Sequence, residues 1–284
     1  MKIKALILAA VMLTAAAAAG CNKAPENSKP AETSAAGSQA SSDSSANESK
    51  TESSAESKTE DSKEESKESS APAGTPVDAS WFDDAVFVGD SVTLKLSYYA
   101  EGGDLGEAKF LCAGSLGYTN ALWDIDAEDN VHPVYEGEKY TVDEGCKVIN
   151  PKKIFVMLGM NDIGLYGVDE AADNMIKLTD KITANCPDAV LYIESVTPMV
   201  AGNSLGDLNN ENIRAFDEKL KTICAEKGYK YLDVYSAVDD GNGNLVYEYC
   251  GDPPSDDNPD AMGLHFTDEG CKIWADYLKA NVEA

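Results

Sequence analysis

The chain has 284 residues, and its 50 acidic against 23 basic side chains give a formal charge of −27. An excess of that size repels phosphate backbones and anionic lipid surfaces, so no nucleic-acid partner is expected. Only two histidines and no Cys-x-x-Cys pair accompany the seven cysteines, which argues against a Cys/His zinc site. No metal or organic cofactor is expected.

In chain order, residues 1–20 carry Lys2 and Lys4, then an apolar and small-residue run that stops at Gly20-Cys21. That pattern is a secretory signal rather than a membrane span of the mature protein. The cut site Ala18-Ala19-Gly20-Cys21 resembles a bacterial lipobox, in which Cys21 becomes the lipid-bearing N-terminus. The expected location is therefore the extracellular face of a bacterial membrane, held there by the lipid alone. Residues 21–80 are nearly all Ser, Glu, Lys, Ala, Asp and Thr, too polar to offset the entropy of ordering. They read as a disordered tether with an end-to-end distance of about 40 Å.

Residues 81–284 fit one domain with a proper core. Short apolar runs at 85–88, 108–112, 153–158, 189–193 and 229–233 are continuous rather than alternating, as in strands covered on both faces of a parallel sheet. Amphipathic stretches at 168–184, 210–227 and 268–282 read as helices between and after them. Strands alternating with helices predict an α/β three-layer sandwich of about five parallel strands with right-handed crossovers. Ligand sites in such sheets lie at the carboxyl ends of the strands.

Each of the first three runs ends there in a polar, glycine-containing turn: Gly89-Asp90-Ser91, Gly114-Ser115-Leu116-Gly117 and Gly159-Met160-Asn161-Asp162. Glycine lets backbone amides approach a ligand, and a strand-to-helix turn aims N–H groups and the positive end of the helix dipole at it. A serine at such a turn has its Oγ beside oxyanion-stabilising donors and still needs a base. His265, near the start of the last helix, can supply one. His132, in Asn130-Val-His-Pro133, reads as a surface residue. The Asp239-Asp-Gly-Asn-Gly-Asn244 stretch looks oxygen-rich but lacks the Glu a calcium loop requires, so it reads as a hairpin turn. Six cysteines beyond Cys21 allow fifteen pairings, and none is favoured.

Together, Phe87-Val-Gly-Asp-Ser-Val-Thr93, Gly117, Gly159-Met-Asn-Asp162 and Gly263-Leu-His265 resemble the four ordered blocks of the SGNH (GDSL-type) hydrolases. The resemblance implies a flavodoxin-like SGNH hydrolase fold with Ser91 as nucleophile and His265 as base. It also implies an oxyanion hole of Ser91 N–H, Gly117 N–H and the Asn161 side chain. The family usually has an aspartate three residues before its histidine, where this chain has Met262. Asp260 is the nearest carboxylate to orient the imidazole; a backbone carbonyl is the alternative.

The resulting expectation is an extracellular serine esterase acting on short acyl groups, such as O-acetyl esters of a polysaccharide or of a small molecule. Two rival readings use the same residues: an O-acyltransferase, and a surface binding protein whose hydrolase site has decayed.

Overall fold

The computed structural model describes residues 75–283; the signal segment, Cys21 and most of the tether lie outside them. Five parallel strands form one sheet: β1 (Ala85–Gly89), β2 (Lys109–Cys112), β3 (Lys153–Met157), β4 (Val190–Glu194) and β5 (Lys230–Leu232). Their order is β2-β1-β3-β4-β5, so the chain reverses its direction of winding between β1 and β3. Strand ends agree with the apolar runs to within one or two residues.

Among the described residues, eight α-helices accompany the sheet: α1 (Ser91–Ala100), α2 (Tyr118–Ala121), α3 (Val142–Ile149), α4 (Met160–Tyr166), α5 (Val168–Asn185), α6 (Asn210–Lys227), α7 (Val234–Val238) and α8 (Asp268–Asn281). Helices α3, α5 and α6 pack side by side, while α1, α7 and α8 form a second group. Right-handed crossovers run one way from β1 to β2 and the other way from β3 onward, which puts the two groups on opposite faces. The three-layer α/β sandwich is thereby formed.

One face of the sheet carries an aromatic stripe. Phe110, Phe87, Phe155 and Tyr192 sit opposite one another on successive strands, stacked with centroids 5.2, 4.6 and 4.6 Å apart. Such pairs add about 0.5–1.5 kcal/mol each beyond their buried area. The stripe fixes the register of four strands, and with it the relative height of the turns that follow them.

Glu194, at the end of β4, is buried and accepts a hydrogen bond from Trp274 Nε1 of α8. Burial pushes its carboxyl up to about 8, although the Trp274 bond opposes this. A folded-state pKa above the unfolded one gives stability that is complete below the unfolded value and lost as pH rises through about 8. Glu194→Gln keeps an oxygen for Trp274 and cannot ionise. The variant should match wild type near pH 4 and gain on it as pH rises, by a difference of about 5 kcal/mol at most. Melting curves across that range check this; a difference independent of pH would refute it.

Two expectations meet the structure away from the sheet. Residues 239–245 close as the expected turn, with Asp239 and Leu245 bridged antiparallel and Asp240 Oδ1 accepting the N–H groups of Asn242 and Asn244. His132 is buried rather than on the surface, 3% exposed, with Nε2 within 3.1 Å of the Trp123 carbonyl. Its loop neighbours, Asn130-Val131 and Pro133, give no sign of that carbonyl partner.

Candidate active site

The point where winding reverses, between β1 and β3, is where an open parallel sheet leaves a crevice. The turns after β1, β2 and β3 converge there. Asp90 caps α1, its Oδ1 accepting the Val92 N–H at 2.9 Å. Ser91 is thus the first residue of the helix, and its own N–H has no intrahelical acceptor.

Gly117 starts α2 with its N–H donated to Asn120 Oδ1 at 2.8 Å. A Cβ at this position would lie 2.5 Å from Asp162 Oδ2, so only glycine lets that carboxylate approach. Gly114, three residues earlier in the same turn, has open space around it. Asp162 accepts the N–H groups of Tyr118 and Thr119, both at 2.8 Å. It ties the α2 turn to the α4 turn and so fixes Gly117 relative to Asn161. The burial of Asp162 raises its pKa, with the bonds to Thr119 and Tyr118 acting against it.

Asn161, in the first turn of α4, donates through Nδ2 to the Leu116 carbonyl at 3.0 Å and more weakly to Asp90 Oδ2 at 3.4 Å. Gly159 before it has φ +127°, and a Cβ there would strike the Phe216 ring at 2.4 Å. Asp90 is 2% exposed, and burial lifts its carboxyl to about 6 despite the Val92 N–H.

His265 completes the arrangement. Ser91 Oγ lies 2.9 Å from His265 Nε2, and Asp252 Oδ2 lies 2.8 Å from Nδ1. The geometry suits a Ser91 hydroxyl donating to Nε2 and an Nδ1–H donating to the carboxylate. Asp252 Oδ1 also accepts the backbone N–H groups of Leu264 and His265 at 3.0 and 2.9 Å. Burial alone would raise the Asp252 carboxyl, but the bonds from the His265 ring and backbone outweigh it and hold it below the usual carboxylate range.

Asp260 is therefore corrected. It lies exposed on the loop between the two partners and makes no hydrogen bond to His265. Residues 249–252 instead run antiparallel to 263–267, bridged at Cys250 and Phe266, with Thr267 N–H on the Tyr249 carbonyl and Gly251 N–H on the His265 carbonyl. That pairing brings a carboxylate thirteen positions upstream against the imidazole. A Gly-Asp-Pro-Pro turn at 251–254 was the available signal.

A family model described as the GDSL-like Lipase/Acylhydrolase family matches residues 87–273, from β1 into α8. The chain belongs to that family. Among solved structures, this GDSL-like hydrolase is similar to a protein from Streptococcus pneumonia described as a platelet activating factor, with TM-score 0.52 and 19% identity over 69% of this chain and 82% of that one. It is also similar to a GDSL-like lipase from Bacteroides thetaiotaomicron VPI-5482, with TM-score 0.50 and 14% identity over 69% and 86% of the two chains. These likenesses establish the shared fold. No curated protein matches the GDSL-like chain in sequence.

Among the described residues, no group of three or more His, Cys, Asp or Glu side chains converges as a metal site. The six described cysteines are all unpaired.

Proposed function

We propose that this GDSL-like hydrolase is an extracellular, lipid-anchored serine esterase. It removes short acyl groups, with O-acetylated carbohydrate as substrate class, through an acyl-enzyme on Ser91. The observation that carries the reading is the unbroken hydrogen-bond relay from Asp252 through His265 to Ser91. The location rests on the signal pattern and Cys21.

In the first half-reaction His265 Nε2 takes the hydroxyl proton as Ser91 Oγ attacks the ester carbonyl. Asp252 fixes the imidazole tautomer and balances the imidazolium that forms. His265 then returns the proton to the departing alcohol, and in the second half it activates water against the acyl-enzyme.

The developing oxyanion falls to the free N–H of Ser91, the Asn161 amide and Gly117 N–H. The last of these is held by a neutral acceptor at rest, Asn120 Oδ1. An anionic oxygen accepts roughly twice as strongly as a neutral one, so it displaces Asn120 when charge develops. Asn161→Ala should lower kcat by roughly 10²–10³-fold, the cost of one oxyanion donor, with little change in KM. An unchanged kcat with a lowered melting temperature would make Asn161 a purely structural link between α4 and Leu116.

The reading is tested with chromogenic esters of increasing acyl length together with a serine-directed phosphonate. Turnover should be greatest for acetyl, and the probe should leave its phosphonyl group on Ser91 Oγ, the leaving group departing with the hydroxyl proton. A chain that neither turns over any ester nor takes the probe would instead be a binding protein.

A further inference from the structure

Beside the catalytic loop lies an open groove of about 370 Å³, lined by Val200, Asn203, Asp240, Tyr247, Pro254 and Pro259 among others. Its walls are joined to the segment that carries His265. Val200 N–H donates to the Gly263 carbonyl at 2.9 Å, and Asn203 Nδ2 donates to the Met262 carbonyl. A Cβ added at Gly263 would lie within 3.2 Å of Asn203, Val200 and Pro254. Pro254 and Pro259 belong to the loop that leads from Asp252 to His265.

This position has a chemical meaning once the histidine's second task is considered. The group that hands a proton to the departing alcohol must sit on the alcohol's side of the scissile bond. Gly117 and Asn161, on the α2 and α4 turns, hold the carbonyl oxygen, whereas the groove adjoins the His265 loop. Its walls are bonded to Met262 and Gly263, the residues that lead into His265, so it lies on the histidine's side of the site.

The lining narrows what the groove can hold. Tyr247 is 59% exposed at the groove, and the two proline rings add further rigid C–H surface. Rigid rings of this kind offer contact area at small entropic cost. Polar groups border them: Asn203 on one wall and Asp240 on another. The N–H groups of Asn242 and Asn244 hold the Asp240 carboxyl below the usual range. Asp256, Asp257 and Asp260 stand exposed on the loop above. A flat ring with C–H faces and hydroxyl edges suits such walls, and the acidic rim repels anything anionic.

We propose that this groove is a saccharide subsite, which binds a neutral sugar ring of the alcohol half of the substrate against Tyr247. The assignment deepens the esterase reading and rests on it for the direction of the alcohol.

The test uses the full chain carrying Ser91→Ala, titrated calorimetrically with neutral β-linked oligomers of pentose, hexose and N-acetylhexosamine. At least one should bind, and adding Tyr247→Ala should weaken it about tenfold, while Tyr247→Trp restores it. With Ser91 intact, Tyr247→Ala should raise KM about tenfold on the acetylated form of that oligomer and leave 4-nitrophenyl acetate turnover unchanged. Binding of none of the oligomers would overturn the subsite, and so would equal loss on both esters. If the oligomer binds through Tyr247 but the unmutated chain hydrolyses no ester, the esterase reading falls and the saccharide site stands.

Discussion

Replacing Ser91 by alanine should lower kcat for ester hydrolysis on the order of 10⁶-fold, leaving only the slow reaction supported by binding and the oxyanion donors. His265→Ala should cost a similar factor, and the double variant little more than either alone, because nucleophile and base act as one unit. Ser91 occupies the first position of α1, where its side chain makes no capping bond; that duty belongs to Asp90. Removing the hydroxyl therefore leaves the cap intact, and melting temperature should hardly move. The check is turnover of a chromogenic acetate ester beside a thermal scan. Turnover by Ser91→Ala within tenfold of wild type would overturn the nucleophile.

The second large effect is expected at Asp252. Asp252→Asn should reduce kcat by up to about 10⁴-fold, because an amide favours the wrong imidazole tautomer and cannot balance its positive charge. Asp260→Asn should stay within about threefold of wild type. Asn at 252 keeps one oxygen for the N–H groups of Leu264 and His265, so the loop should remain folded and the loss should be one of chemistry. The lowered carboxyl of Asp252 has a further consequence for pH. Its stabilising contribution is present above the ordinary carboxylate value and is lost only as pH falls through the depressed one. Kinetics of the two variants side by side decide between the carboxylates: a large loss at Asp260 with none at Asp252 would reverse the assignment.

The contrast between these two carboxylates shows what could be read from residue order. Continuous apolar runs located the five strands of the parallel sheet, because burial on both faces leaves no polar alternation to mislead. Ser91, His265, Gly117 and Asn161 were legible because each sits in a turn directly attached to a strand or helix start. Asp252 was not, since its contact with His265 is made across an antiparallel bridge at Cys250 and Phe266. Counting back along the chain cannot see a partner on the opposite side of a loop. The same holds for His132, whose burial rests on the Trp123 carbonyl; Asn120 stands at the N3 spacing of a capping box, but with glycine as the cap residue that pattern was not evident.

The bridged pair at Cys250 and Phe266 also separates two jobs that a short Asp-x-x-His turn would have to share. Carboxylate and imidazole are clamped at the base of the loop by backbone bonds, while residues 253–262 arch away from them. Length and composition of that arch can then drift without retuning the catalytic proton relay. It is an exchangeable cassette: grafting other ten- or twelve-residue segments between Asp252 and Gly263 should change which alcohols are accepted while the chemistry on Ser91 continues unaltered.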